Sequence, residues 1–277
     1  MNPSGSIKDR PALYMLKDAV VSGKLKEGQT ICETTSGNMG LSLAWIANYL
    51  GLKTVICMPK FMSEERKKLL SMYGARLELT DGFEAAFAKA KEYEKNGAYL
   101  PLQFENEINI VAHRNSTAKE IEGQTKSFPA FLSGVGTGGT LTGIGQYFKE
   151  KYGSKVIALE PAESKLLSQN DLLGVHKIQG LADHIVPDNY HAEVVDDVIG
   201  IKSDDAICMA QKLAKQLGLG VGISSGANFL ACVLSGIDGI ITILPDDNKK
   251  YLSTDLGAPM RSDLVDEIEL LSFSITR

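Results

Sequence analysis

At 277 residues the chain is long enough to bury one large core or two modest ones. Its apolar content of 44% and charged content of 23% are those of a soluble globular protein, and the net charge of −5 comes with no basic run, so no nucleic-acid partner is expected. No apolar stretch approaches the length of a bilayer span and the first residues lack a signal-peptide pattern, which argues against a membrane partner.

The chain starts on Asn2-Pro3-Ser4-Gly5-Ser6-Ile7-Lys8-Asp9-Arg10, a Pro/Ser/Gly turn with a lysine directly behind it. An amine so placed can condense with an aldehyde cofactor while nearby N–H groups and hydroxyls hold its anionic parts. The same residues also read as a plain first helical turn, with Ser6 as cap and Asp9 favoured by the helix dipole. Downstream, strand-like runs at 30–33, 54–58, 76–79, 99–102, 131–135, 156–160 and 240–244 alternate with helix-period segments. Those segments lie at 12–22, 40–50, 64–72, 83–96, 140–152, 204–217 and 227–234, with one more possible at 262–271. Such alternation is the mark of βα units and parallel sheets, so an α/β fold is predicted. If the chain forms two domains, it passes between them around 109–116.

Three turns carry residues suited to ligand binding, the first two leading from a strand into a helix. The first, from Thr34 through Thr35, Ser36, Gly37, Asn38 and Met39 to Gly40, offers hydroxyl, amide and backbone donors suited to a carboxylate. The second runs from Ser133 through Gly134, Val135, Gly136, Thr137, Gly138 and Gly139 to Thr140. Its glycines let the backbone approach an anion at a helix N-terminus, and its hydroxyls suit a terminal phosphate. Gly134, Gly136 and Gly139 also satisfy the dinucleotide pattern GxGxxG, with Glu160 near the place of a ribose-binding acid, so a nicotinamide dehydrogenase stays open at this point. The third turn, Gly222 to Ala227, combines small residues with Ser224 and Ser225, which permits close approach of a flat ring and a hydrogen bond to a ring nitrogen.

Together these stretches resemble the cysteine synthase (O-acetylserine sulfhydrylase) and cystathionine β-synthase family, within the tryptophan-synthase-β-like, fold type II pyridoxal-phosphate enzymes. The matching words lie at 2–10, 35–38, 136–140, 160–164, 176–180, 222–227 and 251–254, in family order. The resemblance implies two α/β domains, each with a mostly parallel sheet flanked by helices, and the cofactor in the cleft between them. The smaller domain would be 1–113, with Lys8 and the Thr35 turn, and the larger 114–277. Lys8 would bond to the cofactor aldehyde and later move the substrate α-proton. Gly136, Thr137, Gly138, Gly139 and Thr140 would hold the phosphate, Asn38 the 3′ oxygen, and Thr35, Ser36 and Gln103 the substrate carboxylate. Ser224 would face the pyridine nitrogen. A neutral hydroxyl there makes a shallower electron sink than a carboxylate would, which favours expulsion of a β-leaving group over transamination. The implied reaction is β-replacement through an aminoacrylate, making cysteine from O-acetylserine and sulfide, with cystathionine- or lanthionine-type synthesis and O-phosphoserine as alternatives. A homodimer and docking of serine acetyltransferase are further implications.

The four cysteines, Cys32, Cys57, Cys208 and Cys232, and the four histidines, His113, His176, His184 and His191, show no ligand spacing. The cysteines read as reduced thiols, the histidines as structural or surface groups, the location as cytoplasmic, and no metal site is expected. Several positions depart from the family pattern. Only seven residues precede Lys8, where family members carry an arm, which makes a truncated, impaired binding protein the alternative of another class. Met39 replaces a threonine, 118–119 a Gly-Pro pair, 181–184 a glycine-rich stretch, and 248–250 the common Gly-Glu-Arg. Asp183 reads either as a contact for an amine-bearing nucleophile or as a solvated loop charge.

Overall fold

The computed structural model describes residues 2–170, 174–181 and 185–270. Its first half places α1 (Asp9–Val21) ahead of three βα units: β1 (Thr30–Thr34), α2 (Asn38–Tyr49), β2 (Lys53–Pro59), α3 (Glu64–Met72), β3 (Arg76–Thr80) and α4 (Phe83–Lys95). The strands form one parallel sheet in the order β1-β2-β3, with Thr34 beside Cys57 and Pro59 beside Thr80. Side chains alternate across a strand, and here both faces are covered. Ile31 packs with α1 and α2, and Ile56 and Met58 with Leu41, Ala44 and Leu70. Cys32, Val55 and Cys57 face Ala86 and Ala90 of α4. That explains the nearly unbroken apolar run of β2.

The second half follows a helical rod made of α5 (Ile108–Ala112), a single π-helical turn (His113–Thr117) and α6 (Ala118–Gln124). Then come β4 (Ala130–Gly134), α7 (Gly139–Tyr152), β5 (Lys155–Pro161), α8 (Leu166–Gln169), β6 (Asp197–Ile201), α9 (Ser203–Leu217), α10 (Ile223–Ser235), β7 (Ile241–Thr242) and α11 (Asp263–Asp266). The second sheet is parallel throughout, in the order β6-β5-β4-β7. One of its faces sets Phe131, Val156 and Ala158 against Leu141, Ile144 and Phe148 of α7. The other sets Leu132, Ile157 and Leu159 against α9 and α10.

Several predicted elements change. The run at 99–102 is no strand: Tyr99 makes one parallel bridge to Ile31, after which Pro101 has no N–H to give and Leu102 turns left-handed at φ 57°. The strand at 240–244 shortens to Ile241–Thr242, ahead of Pro245. The edge strand β6 was not foreseen, because its half-buried Asp-Val-Ile-Gly-Ile pattern is weak. The passage expected at 109–116 is helical, with Asn109 and His113 buried. The helix expected at 262–271 reduces to Asp263–Asp266, residue 271 lying outside the described residues.

Helices α9 and α10 touch backbone to backbone at one point. A Cβ on Gly226 would stand 2.2 Å from the Ala206 carbonyl oxygen and 2.7 Å from the Ala210 nitrogen. Gly226→Ala is therefore expected to push the two helices apart and to cost about 1–3 kcal/mol, read as a lower midpoint in urea unfolding.

Candidate active site

Lys8 reaches the site because its turn is stitched to the far end of the chain. Ser6 pairs antiparallel with Asp246, and the Ile7 N–H donates to the Pro245 carbonyl at 2.8 Å. The buried Lys250 ammonium donates to the Gly5 carbonyl at 2.8 Å. Burial pulls the Lys250 amine below its usual range, against the opposing pull of Asp246 and Asp247. The Ser6 hydroxyl accepts from the Lys8 N–H at 3.1 Å, and Asp9 stands in the first turn of α1, as expected, but buried rather than at the surface. Its buried carboxylate accepts from the Ser4 N–H and the Trp45 indole.

From this turn the Lys8 amine donates to the Thr137 hydroxyl at 3.0 Å. The Asn109 amide donates to the same oxygen at 3.0 Å and to the Gln103 carbonyl at 2.9 Å. With both lone pairs of its oxygen used, Thr137 keeps its own O–H to donate. The glycines around it stand at contact distance. A Cβ on Gly136 would lie 2.1 Å from the Gly180 carbonyl oxygen, and on Gly139 2.2 Å from the Asn109 side-chain oxygen. Gly138, at φ 81°, would meet the Asn189 backbone at 2.6 Å. The first N–H groups of α7 have no acceptor within the helix, so the turn presents donors and a positive dipole end to an anion. His113, fully buried in the π-helical turn, bridges Thr140 at 3.2 Å and Thr117 at 3.0 Å. Burial, then the Lys8 and Arg10 cations, hold this imidazole well below the usual histidine range, so it is neutral, with one nitrogen donating and the other accepting.

The opposite wall is the turn after β1. The Thr35 hydroxyl accepts from the Gly37 N–H at 3.0 Å, and Ser36 and Asn38 line the same pocket as Lys8. Gln103 lines it too, its amide nitrogen donating to the Thr34 carbonyl at 2.7 Å. Behind them, the buried Glu33 carboxyl accepts from the N–H groups of Thr34 at 2.9 Å and Gln103 at 3.1 Å, tying the two segments together. Ser224, in the first turn of α10, and Met39 line it as well. Lys8, Thr35, Ser36, Asn38, Gln103, Gly136, Thr137, Gly138, Thr140 and Ser224 thus converge on one pocket, while Gly139 sits against Asn109 at its edge. Asn109, His113, Glu33 and Asp246 were not singled out from the sequence. Asp183 lies outside the described residues.

The model of the pyridoxal-phosphate dependent enzyme family matches residues 1–245. The chain belongs to that family. Cysteine synthase B of Campylobacter jejuni is 45% identical over 269 residues, covering 93% of this chain and 89% of its own length. A hydrogen sulfide-producing enzyme of Fusobacterium nucleatum superposes with a TM-score of 0.90 at 43% identity, over 96% of this chain and 86% of the other. O-acetylserine sulfhydrylase isoform 3 of Entamoeba histolytica gives 0.87 at 39% identity, over 96% and 83%.

The pocket of this pyridoxal-phosphate enzyme fits its cofactor. It joins an amine able to capture an aldehyde, a glycine turn at the N-terminus of α7 whose N–H groups can hold a phosphate, and the Asn38 amide, whose nitrogen has a second N–H to give besides the one donated to Asp246. The dinucleotide reading falls at Glu160. That carboxylate is buried and accepts from the N–H groups of Leu167 at 2.7 Å and Ser168 at 3.4 Å, so it anchors α8 rather than a ribose. Cys32 and Cys57 are buried thiols, as expected. Among the described residues no His, Cys, Asp and Glu cluster is fit for a metal, and no helix is long and apolar enough to cross a membrane.

Burial is the largest influence on the Glu33 carboxyl and pushes it from 4.5 to about 8, against the two backbone N–H groups that donate to it. The folded chain holds this proton where the unfolded chain has released it. The resulting stability is fully present below 4.5 and is lost as pH rises through about 8. Glu33→Gln keeps the neutral form, and is expected to flatten the fall in urea midpoint between about pH 5 and pH 9 relative to the parent.

Proposed function

We propose that the chain makes L-cysteine from O-acetyl-L-serine and sulfide by pyridoxal-phosphate-dependent β-replacement. One observation carries the reading: the Lys8 amine, the glycine cradle, the hydroxyl turn and the neutral Ser224 hydroxyl meet in a single pocket. The names of the relatives, cysteine synthase B and O-acetylserine sulfhydrylase, support it.

Bound in this pocket, the cofactor supplies an electron sink for the α-carbon of the amino acid. Lys8 would hold its aldehyde carbon; once displaced, the same amine would move the substrate's α-proton. Gly136, Thr137, Gly138, Gly139 and Thr140 would hold the phosphate through N–H and O–H donors, with His113 and Asn109 fixing the two threonines. Asn38 would donate to the 3′ oxygen and Ser224 to the ring nitrogen. Thr35, Ser36 and Gln103 would grip the substrate carboxylate, and the neutral state of Glu33 behind them spares that anion a like charge. Beside the pocket, an apolar opening lined by Phe61, Met62, Phe83 and Val175 shares Gln179 and Gly180 with it, a route for the second reactant.

In this reading the two sheets mark a smaller domain at 1–113 and a larger one at 114–277, and the smaller closes on the substrate. A homodimer and docking of serine acetyltransferase follow from the family resemblance. A cytoplasmic location is supported by the free thiols of Cys32, Cys57, Cys208 and Cys232.

Purified protein with added cofactor is expected to release cysteine and acetate in equal amounts from O-acetylserine and sulfide. Borohydride should fix a pyridoxyl group on the Lys8 peptide. Protein that stays colourless and forms no such adduct overturns the reading. Thr35→Ala is expected to weaken amino-acid binding roughly tenfold while leaving the cofactor absorbance intact, as spectral titration would show.

A further inference from the structure

Behind Asn38, outside the pocket lining, lies a buried cluster that the reaction above does not use. The Asn38 side-chain nitrogen donates to Asp246 Oδ2 at 2.8 Å, and the Tyr251 hydroxyl donates to the same oxygen at 2.7 Å. Arg66 stands 3.7 Å from it, both side chains being 1% exposed, and lies over the Tyr251 ring at 4.3 Å from the centroid. The other end of the guanidinium donates to Gln179 of the pocket wall. Arg66 comes from α3 beside the first sheet, whereas Asp246 follows β7 of the second, so the cluster spans both halves.

An asparagine amide is nearly symmetric in shape, but its two ends are opposite in hydrogen-bonding sense. A carboxylate accepts only. It therefore draws the Asn38 nitrogen, which carries two hydrogens, and repels the carbonyl oxygen. One N–H is spent on Asp246, which leaves the nitrogen a second to donate. Without the carboxylate, the amide is free to turn its carbonyl toward the cofactor's 3′ oxygen, and two acceptors then face each other.

The geometry points to Asp246 as a positioning residue that sets the orientation of the Asn38 amide, with Arg66 supplying the charge that makes a buried carboxylate tolerable. This rests on the reading of Asn38 as a donor to the 3′ oxygen. Asp246→Asn preserves size but offers Asn38 either a donor or an acceptor. The holoenzyme of this variant is expected to show a lower ratio of long-wavelength to near-ultraviolet cofactor absorbance, because the ionised 3′ oxygen loses its donor. Its affinity for pyridoxal phosphate should fall roughly tenfold. Asn38→Ala should do the same, and the double variant should be no worse than Asn38→Ala alone. Tyr251→Phe leaves the carboxylate in place, so it should lower the melting temperature while keeping the absorbance ratio.

Additive losses in the double variant, an unchanged ratio in Asp246→Asn, or a shifted ratio in Tyr251→Phe would each overturn the proposal; the last does so even if Asp246→Asn fails to fold. An unchanged spectrum in Asn38→Ala would instead remove the role of Asn38 itself, and the proposal with it.

Discussion

The hydrogen bond from the Lys8 amine to Thr137 joins groups 129 residues apart. It can form only if the turn before α1 is held against the second sheet while α1 itself packs on the first. The pairing of Ser6 with Asp246 and the Lys250 contact to Gly5 supply that hold from one side. Ala12, Met15, Leu16 and Ala19 of α1, buried among α2 side chains, supply it from the other. Lys8 thus sits where two independently packed layers meet, and no local structure could place it there.

Charge inside this region is managed in different ways according to surroundings. Glu33 has backbone donors but no cation beside it among the described residues, and burial pushes its carboxyl up to about 8. Asp246 is enclosed together with Arg66, whose guanidinium stands 3.7 Å away. His113 lies near two cations and becomes a neutral bridge between hydroxyls. Surface pairs such as Lys60 with Asp81 or Lys89 with Glu92 are exposed and add little to stability by comparison.

Residues that stand out among their own neighbours were legible in the sequence as members of one pocket. Lys8 follows a distinctive turn, Thr35, Asn38 and Gly136 lie at strand-to-helix junctions, where a parallel sheet opens its crevice, and Ser224 lies in a run of small residues that starts α10. The α/β class was equally plain from alternating periods. Asn109, His113, Arg66 and Asp246 were not, because each acts on a residue remote in sequence and none sits in a distinctive word. The segment at 109–116 is expected from the sequence only as a passage between two domains, with no helix assigned to it. In the fold, Asn109 and His113 are fully buried and Thr117 nearly so. The segment at 99–102 misled in the other direction, since an aromatic and aliphatic run outweighed the proline inside it.

The π-helical turn at His113–Thr117 has a consequence for how the chain tolerates change in length. One extra residue in a helical rod rotates everything after it by about 100°. That rotation lets His113 face Thr140 while Ala118, five positions later, is buried with Phe131 and Phe148. A single-residue deletion here would restore a regular α-helix with ordinary hydrogen bonds, yet swing one of those two faces into the wrong environment. Insertions and deletions in this rod should therefore be purged even where substitutions are accepted.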